Sequence, residues 1–167
     1  MQYEWINNVA DMSSDYTSIH FYNTVNQKIE PNTLPENLTS LTFGSCYNQK
    51  MEPNSLPENL TSLTFGWNFD QKIEPNTLPK NLTTLTFGQN FNQKIEPNTL
   101  PESLTTLTFG ELFDQIIDLK TLSSNLKSIE FIWLNLRINK INISSYMEII
   151  NKIPNYYDVK IFLSDNI

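Results

Sequence analysis

Few side chains in this chain could do covalent or metal chemistry, and none stands beside a partner. His20 is the only histidine and Cys46 the only cysteine among 167 residues. Nucleophilic catalysis needs a nucleophile within reach of a base, and a third group that orients the base. No such constellation surrounds either residue, no cysteine–histidine spacing suits zinc, and no glycine-rich loop could cradle a phosphate. The expectation is a chain that is not an enzyme and carries no metal or cofactor, with His20 a surface residue of a terminal rung.

What remains is the chemistry of recognition. Ser40, Ser62, Thr84, Thr106 and Ser128 recur at one spacing, and Thr42, Thr64, Thr86, Thr108 and Glu130 recur at the same spacing two residues on. Such ladders could present a flat hydroxyl surface, and the Thr84/Thr86 and Thr106/Thr108 pairs even look like the regular face of ice-binding solenoids. Small β-branched residues also simply suit a parallel sheet, which is the reading we prefer. More telling are the positions that differ between otherwise copied segments: Ser45, Trp67, Gln89 and Glu111, followed by Cys46, Asn68, Asn90 and Leu112. An exposed Trp67 would anchor a protein partner, because aromatic residues are enriched at binding hot spots. Drift at an unconstrained loop is the competing account. The candidate partner-binding set is Trp67, Ser45, Gln89, Glu111, Asn68 and Asn90, with Thr42, Thr64, Thr86 and Thr108 beside them.

The elements that must position these residues follow from a repeat. Gln-Lys-Ile-Glu-Pro-Asn-Thr-Leu-Pro occurs at 27–35, 71–79 and 93–101, and a near copy fills 49–57, so the period is 22 residues. Units this short cannot bury an apolar face alone and must stack into one continuous core, a solenoid. Leu38, Leu41 and Phe43, with their equivalents in each later unit, form Leu-x-x-Leu-x-Phe, which alternates at its end as a half-buried strand does. One short parallel strand per unit is predicted, at roughly 39–43, 61–65, 83–87, 105–109 and 127–131.

Gly44, Gly66, Gly88 and Gly110 end these strands, where a residue free to take positive φ lets the chain turn. On the return path Tyr47 with Met51, Phe69 with Ile73, Phe91 with Ile95 and Phe113 with Ile117 are expected to fill the core opposite the strands. Asn26, Asn48, Asp70, Asn92 and Asp114, each followed by glutamine, are expected to hydrogen-bond backbone groups between turns. Two prolines per unit forbid a regular helix on the convex side.

The array fades at both ends. Tyr16 to Phe21 fits a degenerate first rung, capped by residues 1–15 with Trp5, Ile6 and Val9 as the plug. Residues 132–167 read as a C-terminal cap: a return segment through Leu134, Leu136 and Ile138, a short helix from Ser145 to Ile153, and a last strand from Tyr157 to Phe162. The fold class is therefore mainly β, a leucine-rich-repeat-like solenoid with one parallel sheet of about seven short strands, in a single domain over 1–167 whose repeats span 16–131.

The formal net charge of −7 and pI near 4.6 exclude a phosphate-backbone footprint. No apolar run approaches a membrane span and basic residues are not clustered, so neither nucleic acid nor membrane is an expected partner. The N-terminus has neither a basic start nor an apolar stretch, and a single cysteine suits a reducing compartment, so an intracellular location is expected. Asn37, Asn59, Asn81 and Asn142 head Asn-x-Ser/Thr triplets, and the first three simply follow from the repeat.

The units Phe69-Asp-Gln-Lys-Ile-Glu-Pro-Asn-Thr-Leu-Pro79 and Phe91-Asn-Gln-Lys-Ile-Glu-Pro-Asn-Thr-Leu-Pro101, each followed by a Leu-Thr-Thr-Leu-Thr-Phe-Gly strand, closely resemble the FNIP repeat, a short cousin of the leucine-rich repeat. Tyr47 departs from the leading phenylalanine, and the unit from Phe113 loses both prolines, to Leu119 and Ser123. FNIP repeats are known chiefly from social amoebae and from giant DNA viruses of amoebae. The resemblance implies a non-catalytic protein–protein interaction module, in a viral setting one that binds a host or viral protein. Many viral members carry an F-box before the array, for which residues 1–15 are too short, so ubiquitin-ligase recruitment is not expected. The alternative is a structural, self-assembling solenoid; apolar-plugged ends favour a monomer.

Overall fold

The computed structural model describes residues 3–115, 117–133 and 158–163. Among these residues eight strands form one parallel sheet in chain order: β1 (Tyr3–Ile6), β2 (Ser18–Phe21), β3 (Ser40–Thr42), β4 (Ser62–Thr64), β5 (Thr84–Thr86), β6 (Thr106–Phe109), β7 (Ser128–Trp133) and β8 (Asp158–Leu163). From β2 to β7 each residue pairs with the one 22 positions on, as in Leu41↔Leu63 and Leu85↔Leu107. A register slip by one residue would expose every leucine and phenylalanine of a rung, so the apolar pattern itself pins the alignment.

The core is a set of ladders one residue wide. Phe21, Phe43, Phe65, Phe87, Phe109 and Phe131 stack along the solenoid axis, with centroids 5.7 Å apart for Phe65–Phe87 and 5.4 Å for Phe87–Phe109. Within a rung each faces the aromatic ring of the return path, 3.8 Å away for Phe65–Phe69 and 3.7 Å for Phe87–Phe91. The expected return-path pairs, from Tyr47 and Met51 to Phe113 and Ile117, are all buried. Tyr47 is the one member of its ladder with a polar atom. Its buried hydroxyl lies 3.0 Å from Met51 Sδ, and burial pushes the phenol above its ordinary pKa of 10.0. Because the folded state holds this proton more tightly than the unfolded chain, stability falls as pH rises above about 10. Tyr47→Phe, which reproduces the neighbouring units, is expected to change stability at neutral pH by less than about 1 kcal/mol. It should also flatten the alkaline loss; urea denaturation at pH 8 and above pH 10 reads both.

Backbone groups between strands are satisfied by side-chain ladders. Asn48 N–H donates to Asn26 Oδ1, Asp70 N–H to Asn48 Oδ1, Asn92 N–H to Asp70 Oδ1 and Asp114 N–H to Asn92 Oδ1, at 2.9–3.0 Å. The following glutamine donates to the same oxygen, as Gln71 Nε2 does to Asn48 at 3.0 Å. A second ladder uses Asn59 and Asn81, whose amides donate to the Glu36 and Glu58 carbonyls of the preceding rungs. Each of these asparagines therefore serves the stacking of units.

Several features differ from the sequence expectation. The glycines do not supply positive φ. Left-handed backbone falls instead on Asn32, Asn54, Asn76 and Asn98, with φ of 61 to 64°. These are third residues of Glu-Pro-Asn-Thr/Ser turns closed by bonds such as Thr33 N–H to Glu30 O, and a proline followed by a positive-φ residue is what a type II turn requires. Where proline gives way to Leu119, the same corner is a 3-10 helix over Leu119–Thr121. Gly44, Gly66, Gly88 and Gly110 serve close approach: a Cβ on Gly66 would lie 2.0 Å from the Gly44 carbonyl oxygen.

The N-terminal segment is also not a simple plug. Tyr3–Ile6 is a strand in the sheet, Ile6 enters the core, Val9 packs partly buried against it, and Trp5 points outward, 58% exposed. A strand's alternation allows only one of two neighbours inside, and Ile6 takes that place beside Phe21. The final strand lies at Asp158–Leu163, close to its expected place. The expected return segment at 134–139 and helix at 145–153 lie outside the described residues. Among the described residues no helix is long and apolar enough to cross a membrane.

Candidate interaction surface

Outward strand positions and the turn after each strand make one continuous surface. Thr42, Thr64 and Thr86 stand half-buried in the outer ladder at matched register, so the sheet presents a row of hydroxyls. Thr108 departs from that expectation: it is only 6% exposed, so the row is closed over before it reaches Glu130. A threonine buried to this extent offers a partner little contact area, so the accessible part of the Thr-x-Thr row is shorter than the sequence pattern.

Past the strands the backbone continues as a ladder of its own. Cys46 N–H donates to Asn23 O, Asn68 N–H to Ser45 O, Asn90 N–H to Trp67 O and Leu112 N–H to Gln89 O, at 2.8–3.0 Å. The variable residues thus sit on a fixed frame. Glycine makes this possible, since each turn lies against the carbonyl of the one before.

On that frame the side chains do different things. Ser45 is occupied locally, its backbone N–H and hydroxyl both donating to Asn23 Oδ1. Asn90 Nδ2 donates to Asn68 Oδ1 at 3.2 Å. Gln89 Nε2 donates to Glu111 Oε2, which leaves Gln89 Oε1 buried with no hydrogen-bond donor. Trp67 projects from the frame with 53% of its surface exposed, and Leu112 likewise with 52%. The sequence-predicted rim residues are therefore assembled in three neighbouring contacts, Asn23–Ser45, Asn68–Asn90 and Gln89–Glu111, with Trp67 standing clear.

The row of glycines is bounded by two large residues that sequence reasoning did not select, Tyr22 before Gly44 and Ile132 after Gly110. Tyr22 can occupy a glycine position because its neighbour is β1, whose path differs from a full unit; Tyr22 N–H donates to Ile6 O at 3.1 Å. Its ring lies 5.2 Å from Trp5, and Trp5 lies 5.3 Å from His20. The signal available in the sequence was the outward phase of His20. It did not extend to Trp5 because the connection from β1 to β2 does not keep the 22-residue period.

Elsewhere, a shallow depression of about 340 Å³ lies between the first two convex turns, bordered by Asn32, Asn54, Glu36 and Glu58. Lys28–Glu30, Lys72–Glu74 and Lys94–Glu96 pair at 3.2–3.3 Å in exposed positions where ion pairs contribute little. Among the described residues no three His, Cys, Asp or Glu side chains are grouped to hold a metal ion.

Parallel rungs of near-identical units, a one-residue-wide apolar core and a largely non-helical convex side define a leucine-rich-repeat-like β-solenoid, a type that typically serves as a scaffold for protein interaction and is typically non-catalytic. Within that class the chain belongs to the FNIP Repeat family, whose pattern matches residues 16–46, 25–68, 47–90 and 69–112. It is similar to the crystal structure of CroV588, a giant-virus protein described as a novel circular LRR protein structure. The two are 49% identical with a TM-score of 0.71, over 72% of this chain and 18% of that one. This chain thus corresponds to less than a fifth of that protein's length. No curated protein matches the chain.

Proposed function

We propose that the outer sheet face and the glycine-side rim bind another protein, with Trp67 as the central anchor. The observation that supports this is the rim itself. Its backbone is held by the same hydrogen bond in every unit, while the side chains displayed on it change from Ser45 to Trp67 to Gln89 to Glu111. A rigid frame with varied side chains lowers the entropy lost on binding and confines recognition to a few residues. The net charge of −7 favours a protein over nucleic acid or an anionic bilayer. The likeness to CroV588 supports a giant-virus setting in which the partner is a host or viral protein inside the cell.

In affinity capture with quantitative mass spectrometry, followed by titration of the captured partner, Trp67→Ala is expected to weaken binding by about 2 kcal/mol or more. A Trp67/Glu111 double substitution should abolish capture. Unchanged capture by both variants would remove the rim from consideration. The word circular, used of CroV588, supports a second reading in which solenoid ends associate with one another. Light scattering separates the two: a monomer at working concentration argues against self-assembly.

A further inference from the structure

The outer face is chemically polarised along the solenoid axis. At its N-terminal end Trp5, His20 and Tyr22 form an exposed aromatic group, with Trp5 58% and Tyr22 42% accessible and the indole between the two other rings. Aromatic rings of this size are normally buried, so a contiguous exposed set on a rigid sheet marks a contact site. Thr42, Thr64 and Thr86 follow at register with His20. At the other end stand two carboxylates, Glu111 on the rim and Glu130 in the same ladder, the second with Lys160 of β8 as its register partner.

The described side chains that face outward from β2 to β7, and those of the first rim row from Asn23 to Glu111, include no lysine or arginine. The lysines of the repeated Gln-Lys step, Lys28, Lys50, Lys72 and Lys94, lie beyond the rim, and three of them pair with Glu30, Glu74 and Glu96. Up to the rim the face therefore offers π-electron density, hydroxyl groups and the negative charge of Glu111.

We propose that this face takes an extended, cationic segment of the partner protein, with a lysine or arginine seated over the rings of Trp5 and Tyr22. The inference rests on the reading that the outer face binds protein, and adds the chemistry of what it binds. A cation over an indole or phenol is held by the ring quadrupole, and its aliphatic stem covers the apolar ring surface. The threonine hydroxyls can exchange hydrogen bonds with an extended backbone crossing the strands. A further cation on the segment then meets Glu111 on the rim. At about 4.8 Å per rung the distance from β1 to β7 is about 29 Å, which roughly nine extended residues span.

The test uses the whole chain and a fluorescein-labelled nonapeptide, Arg-Ser-Gly three times over, with its glutamine-for-arginine counterpart, read by anisotropy. The arginine peptide is expected to bind, to weaken with added salt, and to bind about tenfold or more tightly than the glutamine peptide. Trp5→Ala and Tyr22→Ala should each weaken binding about tenfold, Trp5→Phe should retain part of it, and Glu58→Gln on the convex side should change nothing. Circular dichroism confirms folding, and Trp5→Phe with Tyr22→Ala keeps the test open if Trp5→Ala fails to fold.

Equal affinity for the two peptides, or a Trp5→Ala variant that binds as the parent does, overturns the proposal. If Trp67→Ala alone abolishes binding, the aromatic group is wrong and the rim reading stands. If neither tryptophan matters and Glu58→Gln weakens binding as much as Glu111→Gln, binding is bulk charge and both readings fall. Quenching of Trp5 by a neutral oligosaccharide such as maltoheptaose, without binding of the arginine peptide, also overturns it.

Discussion

Gly88→Ala is expected to lower the unfolding free energy by about 3 kcal/mol, the upper end of the usual cost of overpacking. An added Cβ would lie 1.9 Å from the Gly66 carbonyl oxygen and 2.5 Å from its carbon, where ordinary contact begins near 3.4 Å. Both opposing atoms are backbone, so no side-chain rotation relieves the clash. The rungs themselves must part, and that stretches the Asn90 N–H to Trp67 O bond beside it. The glycine has no positive φ, so alanine suffers no conformational penalty of its own and the cost is contact alone. Gln89→Ala, one residue on, is the comparison. It keeps the same backbone and should cost less than about 1 kcal/mol. Urea denaturation of both variants measures the difference. A Gly88→Ala protein within about 0.5 kcal/mol of the parent would mean that the rungs are not packed this closely.

That glycine also shows where sequence stops informing. Positive φ and close backbone approach both select a residue without a Cβ, so Gly88 at a strand end is compatible with either. The left-handed position was present in the sequence as Asn76, hidden behind Pro75, and reading Glu-Pro-Asn-Thr as a type II turn would have separated the two roles. The repeated strands were legible because a copied unit of fixed length forces every Leu85 over a Leu63, and period-two alternation decides which faces in. β1 was not legible, since Tyr-Glu-Trp-Ile carries no repeat phase and a bulky Trp5 looks like core material until the register to His20 is known.

The candidate surface was legible to a similar extent. Trp67 was marked by its difference from Ser45 and Gln89 at the same position, and the structure places it in the open. What the sequence could not show is which polar side chains are already engaged, as Ser45 is by Asn23 and Gln89 by Glu111. Nor does spacing along the chain show that Thr108 is shut away while Thr86, its register partner, is not.

The second large effect tests the solenoid's one-dimensional energetics. Phe87→Ala is expected to cost about 3–5 kcal/mol, as core phenylalanine truncations do. Phe87 is only 2% exposed and stacks on three rings: Phe65 at 5.7 Å, Phe109 at 5.4 Å and Phe91 at 3.7 Å. Truncation would remove contacts to both neighbouring rungs and to the opposite wall, and the flanking ladders, pinned by register on either side, cannot collapse into the gap. Phe21 is equally buried but, among the described residues, stacks on the ring of Phe43 alone, at 5.6 Å. In an array where each unit senses only its neighbours, a defect at the end removes one interface whereas a central defect divides the array. Phe21→Ala should therefore cost about 1–2 kcal/mol less. It should leave the steepness of the urea transition intact, whereas Phe87→Ala should flatten it as the two halves begin to unfold separately. Equal costs and equal slopes would show that the solenoid folds as one indivisible unit, with cooperativity extending well beyond nearest neighbours.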